Sequence, residues 1–329
     1  MNQVALLSES DRRDLFSETA ARKGMTPVII EKDFWVCWTL SKIFEHAHLS
    51  DKVIFKGGTS LSKVFNLIER FSEDIDLVLN WDLLTDEDPR EERSRAKQKK
   101  FNEALMRKTQ ECLKNFVLPC LTEAVGGICK VEADKEKEGA VNIHYPGVFR
   151  DEYLRREIVL EIGPRSDWIP HEQYSILPYA AEEFPNLFTS AECQVIALKA
   201  ERTFWEKVTI LHAEAFRPEG KQMPLRYSRH YYDLSLMSLS SIKESALEDL
   251  QLLDLVIKSK KLFFPSAWAN YDLAKPGTMK LMPPKYNEKV LLDDYRSMKN
   301  MIFGKYPSFE EVLSNIKRLE EQINALNCY

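Results

Sequence analysis

The stretch from Val53 to Leu79 constrains this chain more than any other. Val53-Ile54-Phe55 is an apolar β-type run, and Gly57-Gly58 follows almost at once. Leu61, Val64, Phe65 and Ile68 then recur at helical spacing, which predicts one buried helix face. Ile75-Asp76-Leu77-Val78-Leu79 returns to a strand pattern. The order is strand, glycine turn, helix, strand. Glycine permits backbone conformations and close approaches that a side chain blocks. Asp74 and Asp76 are two apart, so on a strand their side chains leave the same face. Two carboxylates side by side repel unless a cation lies between them, and magnesium is the usual answer, held together with substrate phosphates. A glycine turn that opens a helix is the complementary piece, because N-terminal amides attract phosphate. The combination points to a site for a metal-bound triphosphate. An Asp-x-Asp or a Gly-Gly pair alone reads as a solvated strand end or an ordinary turn; the ordered combination carries the signal.

Lys56-Gly57-Gly58-Thr59-Ser60-Leu61, followed by Arg70-Phe71-Ser72-Glu73-Asp74-Ile75-Asp76, resembles the signature of the DNA polymerase β-type nucleotidyltransferases. Within that superfamily it is most similar to the AbiEii/AbiGii toxin family. Fifteen residues, 59–73, separate Gly58 from Asp74, a spacing that fits the AbiEii branch better than the antibiotic-modifying branch. The resemblance implies an α+β fold: a polymerase β-like core of a small mixed sheet with helices, plus a helical C-terminal domain. It implies that Gly57, Gly58, Thr59, Ser60 and Ser72 bind nucleotide and that Asp74 and Asp76 bind Mg2+ or Mn2+. Such folds usually add a third carboxylate from a later strand. Glu161, in the strand pattern Glu157-Ile-Val-Leu-Glu-Ile162, is the candidate; the alternative is an ordinary outward-facing strand residue.

A second pair of segments resembles the later half of the same signature. Glu201-Arg-Thr-Phe-Trp-Glu-Lys207 lies in an apolar-periodic run expected to be helical from Cys193 to His212. Arg226-Tyr-Ser-Arg-His-Tyr-Tyr-Asp-Leu234 opens a further helix. On that match Lys207 contacts the nucleotide phosphates, and Asp233 is its ion partner or a base for the incoming hydroxyl. A lysine is a compact charge suited to a triphosphate; the plain alternative is a helix-to-helix salt bridge. Arg226 and Arg229 read as RNA-phosphate or triphosphate contacts. Ile30-Glu-Lys-Asp-Phe-Trp35 also resembles an N-terminal segment of AbiEii-like proteins, which puts Lys32 and Asp33 either toward the site or on a solvated helix face.

The rest of the chain frames these motifs. Ser8 or Ser10 and Gly24 bound a first helix, and Thr26-Pro27 starts a second. The mixed charges after Asp76 read as an exposed helix, and 101–124 as an amphipathic one. Ile128–Ala133 and Ala140–Tyr145 alternate across a charged turn, a hairpin pattern. Arg165 to Pro185 reads as loop, and Phe263 to Pro284 as an irregular aromatic stretch. Ser308-Phe-Glu-Glu311 is a capping box that opens a last helix. The expected division is residues 1–50 as helices on the core, 51–180 as the nucleotidyltransferase domain, and 181–329 as a helical domain completing the cleft.

Composition excludes several classes. A net charge of −5 over 329 residues argues against a broadly basic nucleic-acid coat, though not against a local basic groove. Six scattered cysteines with no Cys-x-x-Cys pair speak against zinc and a disulfide framework, and for reduced thiols in a cytoplasm. No apolar run approaches the roughly 20 residues needed to span a bilayer, so no membrane role is expected. Nothing resembles a Ser-His-Asp triad, a Gly-x-Ser-x-Gly elbow or a Walker loop. The resemblance implies transfer of a nucleotide from a nucleoside triphosphate to an acceptor hydroxyl. The leading acceptor is the 3′ end of tRNA, in a toxin of a bacterial toxin–antitoxin or phage-defence pair with a cognate antitoxin. A protein or small-molecule hydroxyl, or an inactive nucleotide-binding module, are the alternatives.

Overall fold

The computed structural model describes residues 1–72, 74–150 and 155–326. Glu73 of the acidic motif and Cys328 lie outside them. The chain forms two compact units: one from Met1–Val64 and Phe71–Leu198, the other from Phe65–Arg70 and the chain from Lys199 onward.

The first unit is mixed α/β. Its helices are α1 (Asn2–Ala5), α2 (Glu9–Lys23), α3 (Pro27–Glu45), α4 (Gly57–Lys63), α5 (Arg95–Cys112), α6 (Leu118–Ala124) and α7 (Tyr179–Glu183). Its strands are β1 (Val53–Lys56), β2 (Asp74–Leu79), β3 (Lys130–Ala133), β4 (Ala140–His144), β5 (Glu157–Gly163), β6 (His171–Ile176) and β7 (Cys193–Leu198). The strands form one seven-stranded mixed sheet in the order β3-β4-β5-β2-β1-β7-β6. The acidic strand β2 is therefore central. It runs antiparallel to β1 and parallel to β5, with Asp76 opposite Glu161.

Local signals explain most of these elements. Ser8 Oγ accepts the Asp11 amide and Gly24 closes α2 in the left-handed conformation. Pro27 begins α3, whose two tryptophans, Trp35 and Trp38, are fully buried. The expected hairpin forms as β3 and β4.

Three expectations are corrected. The helix after the glycine turn stops at Lys63, because Asn66 takes a φ of +51° and the chain leaves the first unit there. The run from Cys193 is a strand before it is a helix: Cys193, Val195 and Ala197 are buried and Gln194 is exposed. Val195 and Leu198, three apart, fit a helical period, while Cys193, Val195 and Ala197 fit a period of two, which is why the pattern misleads. The polar stretch His171–Ile176, expected as loop, is an edge strand held by backbone pairing to β7.

The second unit is helical: α8 (Ala200–Ala215), α9 (Ser228–Met237), α10 (Ser241–Glu248), α11 (Leu250–Phe263), α12 (Lys285–Ser297) and α13 (Phe309–Asn324). Its α9 packs against α8, α12 and α13, and Trp205, Tyr231, Tyr232 and Tyr295 fill the core. Ser308 Oγ accepts the Glu311 amide and caps α13 as expected. Segment 65–70 is stitched in by an Arg70–Ile302 bridge and by the Phe303 amide on the Glu69 carbonyl.

Candidate active site

In the first unit the site is built on β2. Alternation along the strand buries Ile75 and Leu77 and leaves Asp74 and Asp76 half-buried on the opposite face. Gly57, at a φ of +83°, lies directly beneath Asp76: a Cβ there would fall 2.8 Å from the Asp76 Cγ. Only glycine gives that carboxylate room. Thr59 Oγ1 donates to the Asp74 carbonyl at 2.5 Å, and Ser60 Oγ donates to the Gly57 carbonyl at 2.9 Å. The Thr59 hydroxyl ties the glycine turn to the acidic strand, and the Ser60 hydroxyl braces the turn itself. Ser72 lies half-buried just before β2.

Register brings the third acid in. Glu161 stands opposite Asp76 on the neighbouring strand, and its carboxyl hydrogen-bonds that of Asp74. Burial first, then the charge and hydrogen bond of Glu161, and then Asp76 push the Asp74 carboxyl up to about 7. Lys137, from the turn between β3 and β4, opposes this and donates to Glu161 Oε1. Among the described residues no three His, Cys, Asp or Glu side chains are gathered closely enough to hold a metal ion by themselves. The donor chemistry nevertheless fits a hard divalent cation: Asp74, Asp76 and Glu161 offer carboxylate oxygens from adjacent strands, and Glu161 and Asp76 both oppose ionisation of Asp74. Magnesium commonly takes one or two carboxylates and completes its shell with water and phosphate.

The Glu31-Lys32-Asp33 run of α3 is not a solvated face. All three side chains are buried. Glu31 accepts the amides of Val148 and Phe149, Lys32 Nζ donates to the Arg155 carbonyl, and Asp33 pairs with Lys63 at 2.7 Å. Lys63 is the last residue of the glycine-turn helix and also lies over the Tyr179 ring. Burial works against its charge, but Asp33 outweighs it and keeps the ammonium protonated.

In the second unit the expected Lys207–Asp233 pair forms, at 2.7 Å, and both residues are buried. A third member was not anticipated. Arg70 grips Asp233 in bidentate fashion, Nε on Oδ1 at 2.6 Å and Nη2 on Oδ2 at 2.8 Å. Burial alone would raise the Asp233 pKa; the charges of Arg70 and Lys207 overcome it and hold the carboxyl far below the usual range. Asp233 is thus the ion partner of both Arg70 and Lys207. Lys207 is pulled down by burial and by Arg70 and Arg229, while Asp233 opposes them. His230 beside it is held neutral by burial and by Lys207 and Arg229. Among the described residues, Arg70 and Lys207 thus converge on the single carboxylate of Asp233. Arg70 stands inside the acidic motif, and its sequence signal was visible; its partner, 163 residues away, was not.

Arg226 and Arg229 flank the start of α9. Arg226 is exposed, at a φ of +60°, and its amide and that of Ser228 are held by Asp294 of α12. That carboxylate caps α9 from another helix, a contact with no signature in the sequence.

The model of the family "Nucleotidyl transferase AbiEii toxin, Type IV TA system" matches residues 38–315. No curated protein gives a match. Among solved structures, the nucleotidyltransferase toxin MenT4 of Mycobacterium tuberculosis H37Rv is similar at 13% identity and a TM-score of 0.41, covering 98% of this chain and 100% of MenT4. A candidate nucleotidyltransferase from H. pylori is similar at 13% identity and a TM-score of 0.41, covering 91% of this chain and 96% of that one. Among the described residues no helix is long and apolar enough to cross a membrane.

Proposed function

This chain belongs to the AbiEii nucleotidyltransferase toxin family of type IV toxin–antitoxin systems, and on that premise we propose that it transfers a nucleoside monophosphate from a triphosphate to the 3′ end of tRNA. Family membership implies a nucleoside triphosphate substrate and a cognate antitoxin; magnesium or manganese, the tRNA acceptor, a part in phage defence and action in the cytoplasm belong to the proposal. The observation that carries it is the pair Asp74 and Glu161, hydrogen-bonded carboxyls held beside Asp76 over a glycine that leaves Asp76 room.

In this reading Asp74, Asp76 and Glu161 hold the divalent ion. When bound, that ion neutralises the charge of the phosphates. The turn Gly57–Ser60 and Ser72 line the nucleotide side. In the C-terminal unit Lys207 is a phosphate contact, its ammonium fixed by Asp233, which Arg70 holds in turn, and Arg226 and Arg229 meet acceptor or triphosphate phosphates. The acceptor hydroxyl forms a bond to the α-phosphorus and loses its proton to solvent, the bond to the bridging oxygen breaks, and pyrophosphate leaves. Asp233, already bonded to two cations, takes no proton in this step.

The test is a labelling assay with magnesium, total tRNA and each labelled ribonucleoside triphosphate in turn, with Asp74→Ala alongside. Label on tRNA that is lost in the variant by at least about a hundredfold supports the reading, since one metal-held charge contributes several kcal/mol. Label on protein or on a small molecule would replace the acceptor. Full activity in Asp74→Ala would overturn the metal assignment.

A further inference from the structure

The turn that joins β3 to β4 is built to place one lysine over the carboxylate pair. Asp134 Oδ1 accepts the amides of Glu136 at 2.8 Å and Lys137 at 2.9 Å, and Asn142 Nδ2 donates to its Oδ2 at 2.9 Å. At the far end Gly139, at a φ of +80°, offers its carbonyl to the Ile162 amide at 2.8 Å, and a Cβ there would come within 3.0 Å of the Ile162 carbonyl. The turn is thereby fastened to β4 and, one residue past Glu161, to β5. From this frame Lys137 Nζ donates to Glu161 Oε1, and Glu161 hydrogen-bonds Asp74.

We propose that Lys137 is a built-in counter-cation of the Asp74–Glu161 pair, competing with the divalent ion for Glu161 and yielding when the ion binds. The proposal rests on the reading that these carboxylates hold a divalent cation. Two close carboxylates need a positive charge, and an ammonium on a flexible four-carbon stem can supply one and withdraw it. The Lys137 side chain is 52% exposed, so it can swing into water without disturbing the core. An ion pair that open to solvent is weak, and a divalent ion can displace it. The fixed turn backbone keeps the ammonium near the site after displacement, where it adds positive charge beside the phosphates.

Binding of Mn2+ to the metal-stripped full chain, followed by the loss of free Mn2+ signal in electron paramagnetic resonance, tests this without any turnover. The variants are Lys137→Met and, as a control that removes the same charge from the same turn, Lys135→Met. The expected result is about tenfold tighter Mn2+ binding in Lys137→Met, the effect of one charge a few Å away at an intermediate dielectric, with Lys135→Met close to the parent. Equal affinity in the two variants, or weaker binding in Lys137→Met, would overturn the competition while leaving the metal site intact. Absence of Mn2+ binding in the parent and in both variants would overturn the metal site and the competition together. Circular dichroism of each variant checks that the fold is unchanged.

Discussion

At the scale of single residues, Asp233 is an acid held by cations on both of its oxygens. Asp233 has both oxygens occupied by Arg70 and Lys207 and no exposure to water. Asp233→Asn keeps the shape and leaves two buried cations facing an amide. Removing one partner of a buried ion cluster costs about 3–5 kcal/mol, so a fall of that size in the free energy of urea unfolding is expected. A variant as stable as the parent yet inactive would instead return Asp233 to the list of candidate bases. Gly57 makes the opposite case, a residue defined by the absence of a side chain. Gly57→Ala adds a methyl at a φ of +83° against the Asp76 carboxylate. The strain is of order 1–3 kcal/mol, and the displaced carboxylate should lower Mn2+ affinity by at least about tenfold. Unchanged affinity in a titration would show that Asp76 is free to move.

At the scale of elements, α3 and α4 form a support under the acidic strand. Asp33 on α3 holds Lys63 at the end of α4, and Thr59 at the start of α4 holds the backbone of Asp74. One short helix is thus pinned at both ends by groups that the sequence spreads over 42 residues, from Asp33 to Asp74. Asp33→Ala strands a buried ammonium and is expected to lose about 3–5 kcal/mol of stability; the double variant Asp33→Ala/Lys63→Met should recover part of it. Denaturant melts of the single and double variants check this, and equal losses in both would mean that packing rather than charge matters there. Most of these elements were legible. Ser8, Pro27, Gly24 and Ser308 announce helix ends through groups that act within four residues, so short-range reading suffices. β6 was not legible, because an edge strand held by backbone bonds need not alternate in hydropathy.

At the scale of the whole molecule, pH connects the buried charges to stability. The Asp233 carboxyl is held far below its unfolded value by Arg70 and Lys207 against the pull of burial. A depressed acid contributes stability that is fully present above its unfolded pKa, about 3.9, and is lost as pH falls toward the folded value. The urea midpoint should therefore drop below about pH 4, and Asp233→Asn should show a shallower drop from a lower starting point. A parent and variant with parallel acid profiles would remove Asp233 from the acid response. The sequence by itself determined the order strand, glycine turn, helix, acidic strand, the pairing of two carboxylates on one face, and the membership that both halves of the signature announce. It did so because glycine, capping and period-two signals act between neighbours. Tertiary structure alone decided that Glu161 lies opposite Asp76, that Lys137 reaches that acid, that the helix after the turn ends at Lys63, and that Arg70 closes on Asp233. Those contacts join residues 24 to 163 positions apart or depend on where the chain leaves one unit for the other. Strand register and the burial of charge set them, and neither is written in the spacing of nearby residues.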